Sequence, residues 1–246
     1  MSAAHQKEIG DAFGKALLDC WRGGARPGLV DEVVERDDGT VSRSDITKYF
    51  TAPADMAGPD REVLEAAHGR TLDVGCGAGR HLTALREAGV SAVGMDASPG
   101  AVEVARARGC DAVVADASRP PDGPFDTIVL LGANLGLLAD ADRAPGVLRA
   151  LAARARPGAR LFGTGLDPYH DAERHRAYHA SNRRRGRMPG QVRMRVHHGD
   201  LVTDWFDYLH SSPDELAGFT AGTPWTVTGI RRDGAHYLAV LALADE

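Results

Sequence analysis

From residue 70 onward, short apolar runs at 71–74, 92–95, 112–115, 125–131 and 159–164 alternate with segments at 80–87, 100–108 and 143–156 whose apolar residues recur at helical spacing. Runs of that length predict strands, and strands separated by helices predict parallel βαβ units. Pro99 opens the second helical segment and Pro157-Gly158 follow the third, where helices start and stop. After residue 164 the alternation ends. A polar, arginine-rich stretch at 167–190 gives way to 191–198, where Val192, Met194 and Val196 alternate with polar residues and predict a half-exposed strand. A second strand is expected at 201–209, and Ser212-Pro213-Asp214-Glu215 reads as a helix start. The last pattern is strand, turn and strand at 225–231, 232–234 and 236–243, an antiparallel pair closing the sheet. Upstream, a helix at 7–21, a Gly/Arg/Pro linker at 22–28, an acidic turn at 35–39 and a helix at 60–67 read as a cap. The organisation expected is therefore an N-terminal cap or lid at 1–69 and an α/β, doubly wound core at 70–246 that carries an insertion at 167–210.

Composition narrows the functional classes. The chain has 246 residues, 43% of them hydrophobic, enough for one large core. A formal net charge of -5 argues against general attraction to nucleic acid or to an anionic membrane. No apolar run approaches the ~18 residues of a membrane span, and the first residues lack the apolar stretch of a signal peptide, so a cytoplasmic protein is expected. Cys20, Cys76 and Cys110 are too scattered for a disulfide framework or a CxxC metal site, and no metal is expected.

The chemistry concentrates at strand ends. Leu72-Asp73-Val74-Gly75-Cys76-Gly77-Ala78-Gly79-Arg80 places three glycines, spaced GxGxG, between the first core strand and the first core helix. There the chain must turn sharply and let a ligand press on backbone. The dinucleotide fingerprint GxGxxG fails, because Arg80 stands where its third glycine is needed. Asp96 ends the second strand 21 residues after Gly75, where a carboxylate accepts ribose hydroxyls. Asp116 follows the third strand, placed to accept from an adenine amino group, and Asp73 can orient the loop or meet a ligand ammonium. Singly, such glycines are ordinary turn chemistry and such aspartates ordinary N-caps. Together, in register with successive strands, they point to a nucleoside ligand.

The stretches LDVGCGAGRH, GMDAS, VVADAS and FDTIVLLGANLGLL resemble the successive motifs of class I S-adenosylmethionine-dependent methyltransferases of the small-molecule type. The resemblance covers about residues 60 to 165, and the terminal strand pair is similar to that family's closing strands. It implies a seven-stranded sheet of order 3-2-1-4-5-7-6 and S-adenosyl-L-methionine as cofactor. It also implies roles: Asp73, Gly75, Gly77 and Gly79 for the methionine portion, with Cys76 among them as a small packing residue; Asp96 and Ala97 for the ribose; Asp116 and Ala117 for the adenine; Leu131, Gly132 and Asn134 beside the methyl group; Tyr49-Phe50 as an aromatic lid.

The acceptor is expected at loops on the carboxyl ends of the strands, where open α/β sheets bind ligands. These are Gly132-Ala133-Asn134 and Asp167-Pro168-Tyr169-His170. The second opens a segment with His175, Tyr178, His179 and Asn182, of which His179 is the first choice for a base. Expected catalytic residues are His179, Tyr178 and Asn134. Eight arginines and no acidic residue lie between Arg174 and Arg195. Arg187, Arg193 and Arg195, with Tyr169 and His170, are expected to hold an anionic or polar acceptor. The plainer reading is a solvated edge or a homodimer contact. The function expected is methyl transfer to nitrogen or oxygen of a small metabolite, as in secondary metabolism. Two alternatives stay open: an RNA or DNA methyltransferase, which lacks support because no Asp/Asn-Pro-Pro-aromatic motif is present, and a non-catalytic cofactor-binding scaffold, which the intact glycine loop disfavours.

Overall fold

A computed structural model describes residues 7–56 and 58–244 of the chain. Seven strands form the central sheet: β4 (Arg70–Val74), β5 (Ser91–Asp96), β6 (Ala112–Val114), β7 (Phe125–Leu130), β8 (Ala155–Leu166), β12 (Trp225–Asp233) and β13 (His236–Leu243). Their spatial order is β12-β13-β8-β7-β4-β5-β6. The ladders from β6 to β8 are parallel, and β13 and β12 are antiparallel to their neighbours. This is the order 3-2-1-4-5-7-6. Because crossover helices cover both faces, the inner strands are buried on both sides, and most of their residues are apolar. Leu72, Val74, Ile128, Leu130, Leu161 and Leu241 form one core, while Val129, Leu131 and Phe162 face Val63, Leu64 and Leu85 in another.

The helices are α2 (Gly58–Ala66), α3 (Arg80–Glu87), α4 (Pro99–Ala107), α5 (Ala144–Ala152), α6 (Ala172–Arg184) and α7 (Pro213–Thr220), preceded by α1 (Ala12–Arg22). Caps explain their starts: Asp11 accepts from Gly14 N, Ser98 from Ala101 N, and Ser212 with Glu215 forms a full capping box. Two expectations shift. The third core helix ends at Ala152, and Pro157-Gly158 lie inside the longer β8, because that end of β8 is exposed and its proline need not donate. The single strand expected at 201–209 is two, β10 (Leu201–Val202) and β11 (Phe206–Leu209).

The larger surprise is a second sheet. Residues 31–45, expected only to contain an acidic turn, form the hairpin β2 (Asp31–Arg36) and β3 (Val41–Asp45). β2 pairs with β9 (Gln191–His198), so that Val34 faces Val196 and Glu35 faces Arg195. β10 and β11 follow one another along the opposite edge of β9, and β1 (Glu8–Ile9) adds to β10. One six-stranded sheet is thus built from the N-terminal segment and from the segment after β8.

Charge stitches the two together. Asp37, at the hairpin turn, accepts from Arg185 and Arg187 at 2.7 Å each and from the Tyr178 hydroxyl at 2.8 Å. Glu35 accepts from Arg195 at 2.9 Å and lies 2.6 Å from His197. Arg193 reaches Asp207 at 3.4 Å. The arginine-rich segment has its acids after all, roughly 150 residues away in sequence.

α1 docks the composite sheet to the core. Gly14 and Gly100 meet backbone to backbone: a methyl group on Gly100 would lie 2.7 Å from Gly14 Cα and carbonyl carbon. The Asp11 carboxylate binds Gly14 N, Ser98 Oγ and Gly100 N, capping two helices at once.

Two predictions follow from this docking and stitching. Alanine is favoured over glycine in a helix by about 1 kcal/mol, but in Gly100→Ala the clash with Gly14 backbone outweighs it, and urea unfolding should show a net loss of about 1–3 kcal/mol. A variant as stable as wild type would mean that α1 does not press on α4. The second prediction concerns acid. The Arg195 hydrogen bond outweighs burial and holds Glu35 below its usual 4.5, and Asp37, which burial would raise, is brought below 3.8 by Arg187 and Tyr178. Carboxylates depressed in the folded state stabilise it above their ordinary range and lose that contribution as pH falls through the depressed values. Hydrogen exchange in 31–45 and 191–209 should therefore accelerate below pH about 4 before the central sheet does; simultaneous loss of both sheets would contradict it.

Candidate functional site

The loop leaving β4 carries Gly75, Gly77 and Gly79 at φ of 74°, 52° and 78°, a left-handed region that L side chains rarely adopt. Gly75 N and Cys76 N both donate to Met95 O, which fastens the loop to β5. A methyl group on Gly75 would lie 2.6 Å from Asn134 Nδ2, and one on Gly77 would touch the Tyr49 ring at 3.4 Å. The loop is therefore flanked by Asn134 on one side and Tyr49 on the other.

Each flank is braced. Asn134 Nδ2 donates to Val74 O and Gly75 O, at 3.0 and 2.9 Å, closing the crevice between β4 and β7. Tyr208, on β11, donates to Ala133 O at 2.8 Å and lies 3.2 Å from Asn134 Oδ1. Ala133 itself sits at φ 68°, next to Gly132 at 74°, so the turn is strained and held from outside. On the other flank Tyr49 packs edge-on against Phe13, with centroids 5.2 Å apart, and donates to Glu32 Oε1 at 2.9 Å. Glu32, on β2, is only 8% exposed and also binds Lys48. Burial, with Glu32 beside them, pushes both the Tyr49 and Tyr208 phenols well above their ordinary range. Glu32 and Tyr208 of the second sheet, with Tyr49 from the turn after β3, thus roof the glycine loop.

Beneath the loop, Asp73 is fully buried and neither carboxylate oxygen has a hydrogen-bond partner. A buried carboxylate in that condition is costly unless a ligand completes it. Asp96 accepts from Gly77 N and Ser98 N at 2.9 Å each, and burial raises its pKa. Ala97 is exposed beside it. Asp116, at the exposed end of β6, accepts from Ser118 N, and Ala117 is half-buried. Burial, with Asp73 next, drives the Cys76 thiol up, so Cys76 is a neutral packing residue against Gly94. An orphaned acid, an open glycine cradle and carboxylates at the ends of two further strands fit S-adenosylmethionine, whose ammonium, ribose and adenine need those partners. Leu131 is buried, its side chain packed in the core with Val63, Leu85 and Phe162.

The expected acceptor residues separate into groups. Tyr178 is tied to Asp37 and Arg193 N, and Arg187, Arg193 and Arg195 are each paired with a carboxylate. They hold the second sheet together. Tyr169 donates to Glu215 and stands edge-on to His179, which is buried 6.0 Å from His175. Burial, then the charges of His175 and Arg183, lowers the His179 pKa. His170 is exposed. His210, not anticipated from sequence, stands edge-on to Tyr208 with a buried, unpartnered Nδ1; burial brings it down to about 4, aided by His175 and His236. Glu32 and Tyr208 were also not anticipated, because they lie in short strands without an apolar pattern.

Similarity to known proteins agrees with this geometry. A family model described as a methyltransferase domain matches residues 71–158. The release factor glutamine methyltransferase of Rhodospirillum rubrum is 40% identical over 119 residues, which span 44% of this chain and 35% of that protein, so the chain matches about a third of that relative's length. The fold is that of an S-adenosylmethionine-dependent methyltransferase from Bacteroides fragilis solved with S-adenosyl-L-homocysteine, with a TM-score of 0.80, 24% identity and coverage of 97% of this chain and 99% of that one. A structure described for conversion of a disulfide bond into a thioacetal group during echinomycin biosynthesis is 26% identical, with a TM-score of 0.54 over 76% of this chain and 82% of that one. Among the described residues no helix is long and apolar enough to cross a membrane.

Replacing Asp96 by alanine should weaken binding of S-adenosylhomocysteine by about 1.5–3 kcal/mol, the range for hydrogen bonds to a charged group. Calorimetry giving unchanged affinity in a folded variant would place the ribose elsewhere.

Proposed function

We propose that the chain, whose residues 71–158 match a methyltransferase domain, is a class I S-adenosylmethionine-dependent methyltransferase that methylates a small polar metabolite, at nitrogen in first place, held between the glycine loop and the second sheet. The observation that carries this reading is the buried Asp73 carboxylate, which has no hydrogen-bond partner, under a glycine cradle, with a polar roof above it. When bound, S-adenosylmethionine supplies a methyl group on a sulfonium, open to in-line attack. Asp73 and the backbone of Gly75 to Gly79 hold its methionine end, Asp96 the ribose, and Asp116 with Ala117 the adenine. Tyr49 and Phe13 exclude water from the cradle. Glu32, Tyr49 and Tyr208 keep lone pairs free after their mutual bonds, and these orient an acceptor N–H or O–H.

Nitrogen is favoured by what the roof lacks in basicity. Both phenols are raised, Glu32 is held by Lys48, and His210 at about 4 is a neutral hydrogen-bond acceptor rather than a base matched to neutral pH. A neutral amine needs no proton removed before attack; a hydroxyl does. A polar acceptor has more support than an anionic one, since Arg187, Arg193 and Arg195 are already paired. The same pairing removes the basis for an RNA or DNA substrate. The likeness to a protein of echinomycin biosynthesis supports a small acceptor and a place in secondary metabolism.

The test is incubation with methyl-labelled cofactor and a metabolite extract, followed by mass detection of a product that gains one methyl group. Tyr208→Phe should lower kcat/KM for that acceptor about tenfold, the loss of one hydrogen bond, with cofactor affinity within about twofold of wild type. Label appearing only in nucleic acid or protein, or in nothing, would overturn the proposal.

A further inference from the structure

The charge beneath the glycine loop has a second partner. His81, on α3, is 3% exposed, and its Nδ1 lies 3.8 Å from Asp73 Oδ2. Its Nε2 lies 3.2 Å from Asp60 Oδ2, on α2, and the Arg80 guanidinium reaches the same oxygen at 3.4 Å. The charged groups around the imidazole are thus Asp60 from α2, Asp73 from β4 and Arg80 from α3. A neutral imidazole has one N–H, so whichever nitrogen is bare turns a lone pair onto a carboxylate. An imidazolium offers an N–H to both. With it the set Asp60, Asp73, His81 and Arg80 is neutral, and each acid faces a donor. Burial opposes the charged ring, but the hydrogen bond to Asp60 and the nearby Asp73 carboxylate outweigh it and raise the imidazole above its ordinary value.

A ligand ammonium is a second cation for the same carboxylate. We propose that His81 is the resident counter-charge of Asp73 and that, when a ligand ammonium takes its place, the Nδ1 proton leaves to solvent while Nε2–H stays on Asp60. The exchange rests on the cofactor assignment proposed above. His81 is a positioning residue: it acts on the ligand through Asp73. Its consequence is a cofactor affinity that weakens as pH falls below the raised imidazole value, by up to about tenfold per pH unit, because protons and ligand compete for one carboxylate.

The test is titration calorimetry with S-adenosylhomocysteine, which carries the same ammonium and no transferable methyl, in two buffers of different ionisation enthalpy at pH about 6 and about 8. Wild type should release up to about one proton per site at the lower pH and a smaller fraction at the higher. His81→Gln, whose amide can still donate to Asp60, should bind with no proton release and a flat pH dependence. Asp60→Asn, which removes the acid that keeps the ring charged, should move the break in affinity to lower pH, and it carries the test if the glutamine variant does not fold. Wild-type binding without proton release, or equal release by His81→Gln, would sink the exchange while leaving the function standing. Failure of wild type to bind S-adenosylhomocysteine at either pH would bring down the cofactor assignment and the exchange with it.

Discussion

The pairing of β2 with β9 is the contact on which the upper half of the molecule depends. It joins segments some 160 residues apart, and through it β2 carries Glu32 and β11 carries Tyr208 to opposite sides of one glycine loop. The ion pairs along this seam are partly exposed, and such pairs contribute about 0–1 kcal/mol each. Their main effect is on register. A slip of β2 by one residue would turn Val34 to the face opposite Val196 and bring Glu35 off Arg195. The cohesive part is the ladder and the apolar contact; the charges choose which ladder forms.

The central sheet was legible in the sequence because its strands are buried on both faces, and their apolar runs stand out between amphipathic helices. The glycine loop and its neighbouring aspartates were legible for a related reason: turn glycines and strand-end aspartates act through local chain geometry, so their spacing is visible in one dimension. The N-terminal half of the second sheet was not. DEVVER and VSRSD are half-exposed strands rich in charge, with no apolar alternation to find. The arginines between 174 and 195 were noticed as an excess of charge, but charge is neutralised in space, and Glu35 and Asp37 come from the far end of the chain. Only a prior pairing of the two segments could have reassigned those arginines from ligand to scaffold.

His81 illustrates a different limit. Its place directly after the GxGxG loop was in plain view, yet a histidine on a helix carries no sign of which acids surround it. Asp60 comes from α2, and Asp73 from the strand beneath. In the proposed exchange the same acid serves the fold when the protein is free and the ligand when it is bound.

The seam between the N-terminal hairpin and β9 also governs how the segment after β8 can be exchanged between relatives. A chimera that imported the segment after β8 alone would leave Glu35 and Asp37 facing foreign side chains, and would separate Tyr208 from the hairpin that supplies Glu32. The unit of inheritance for this roof is therefore two distant stretches of chain, which recombination must move together or not at all.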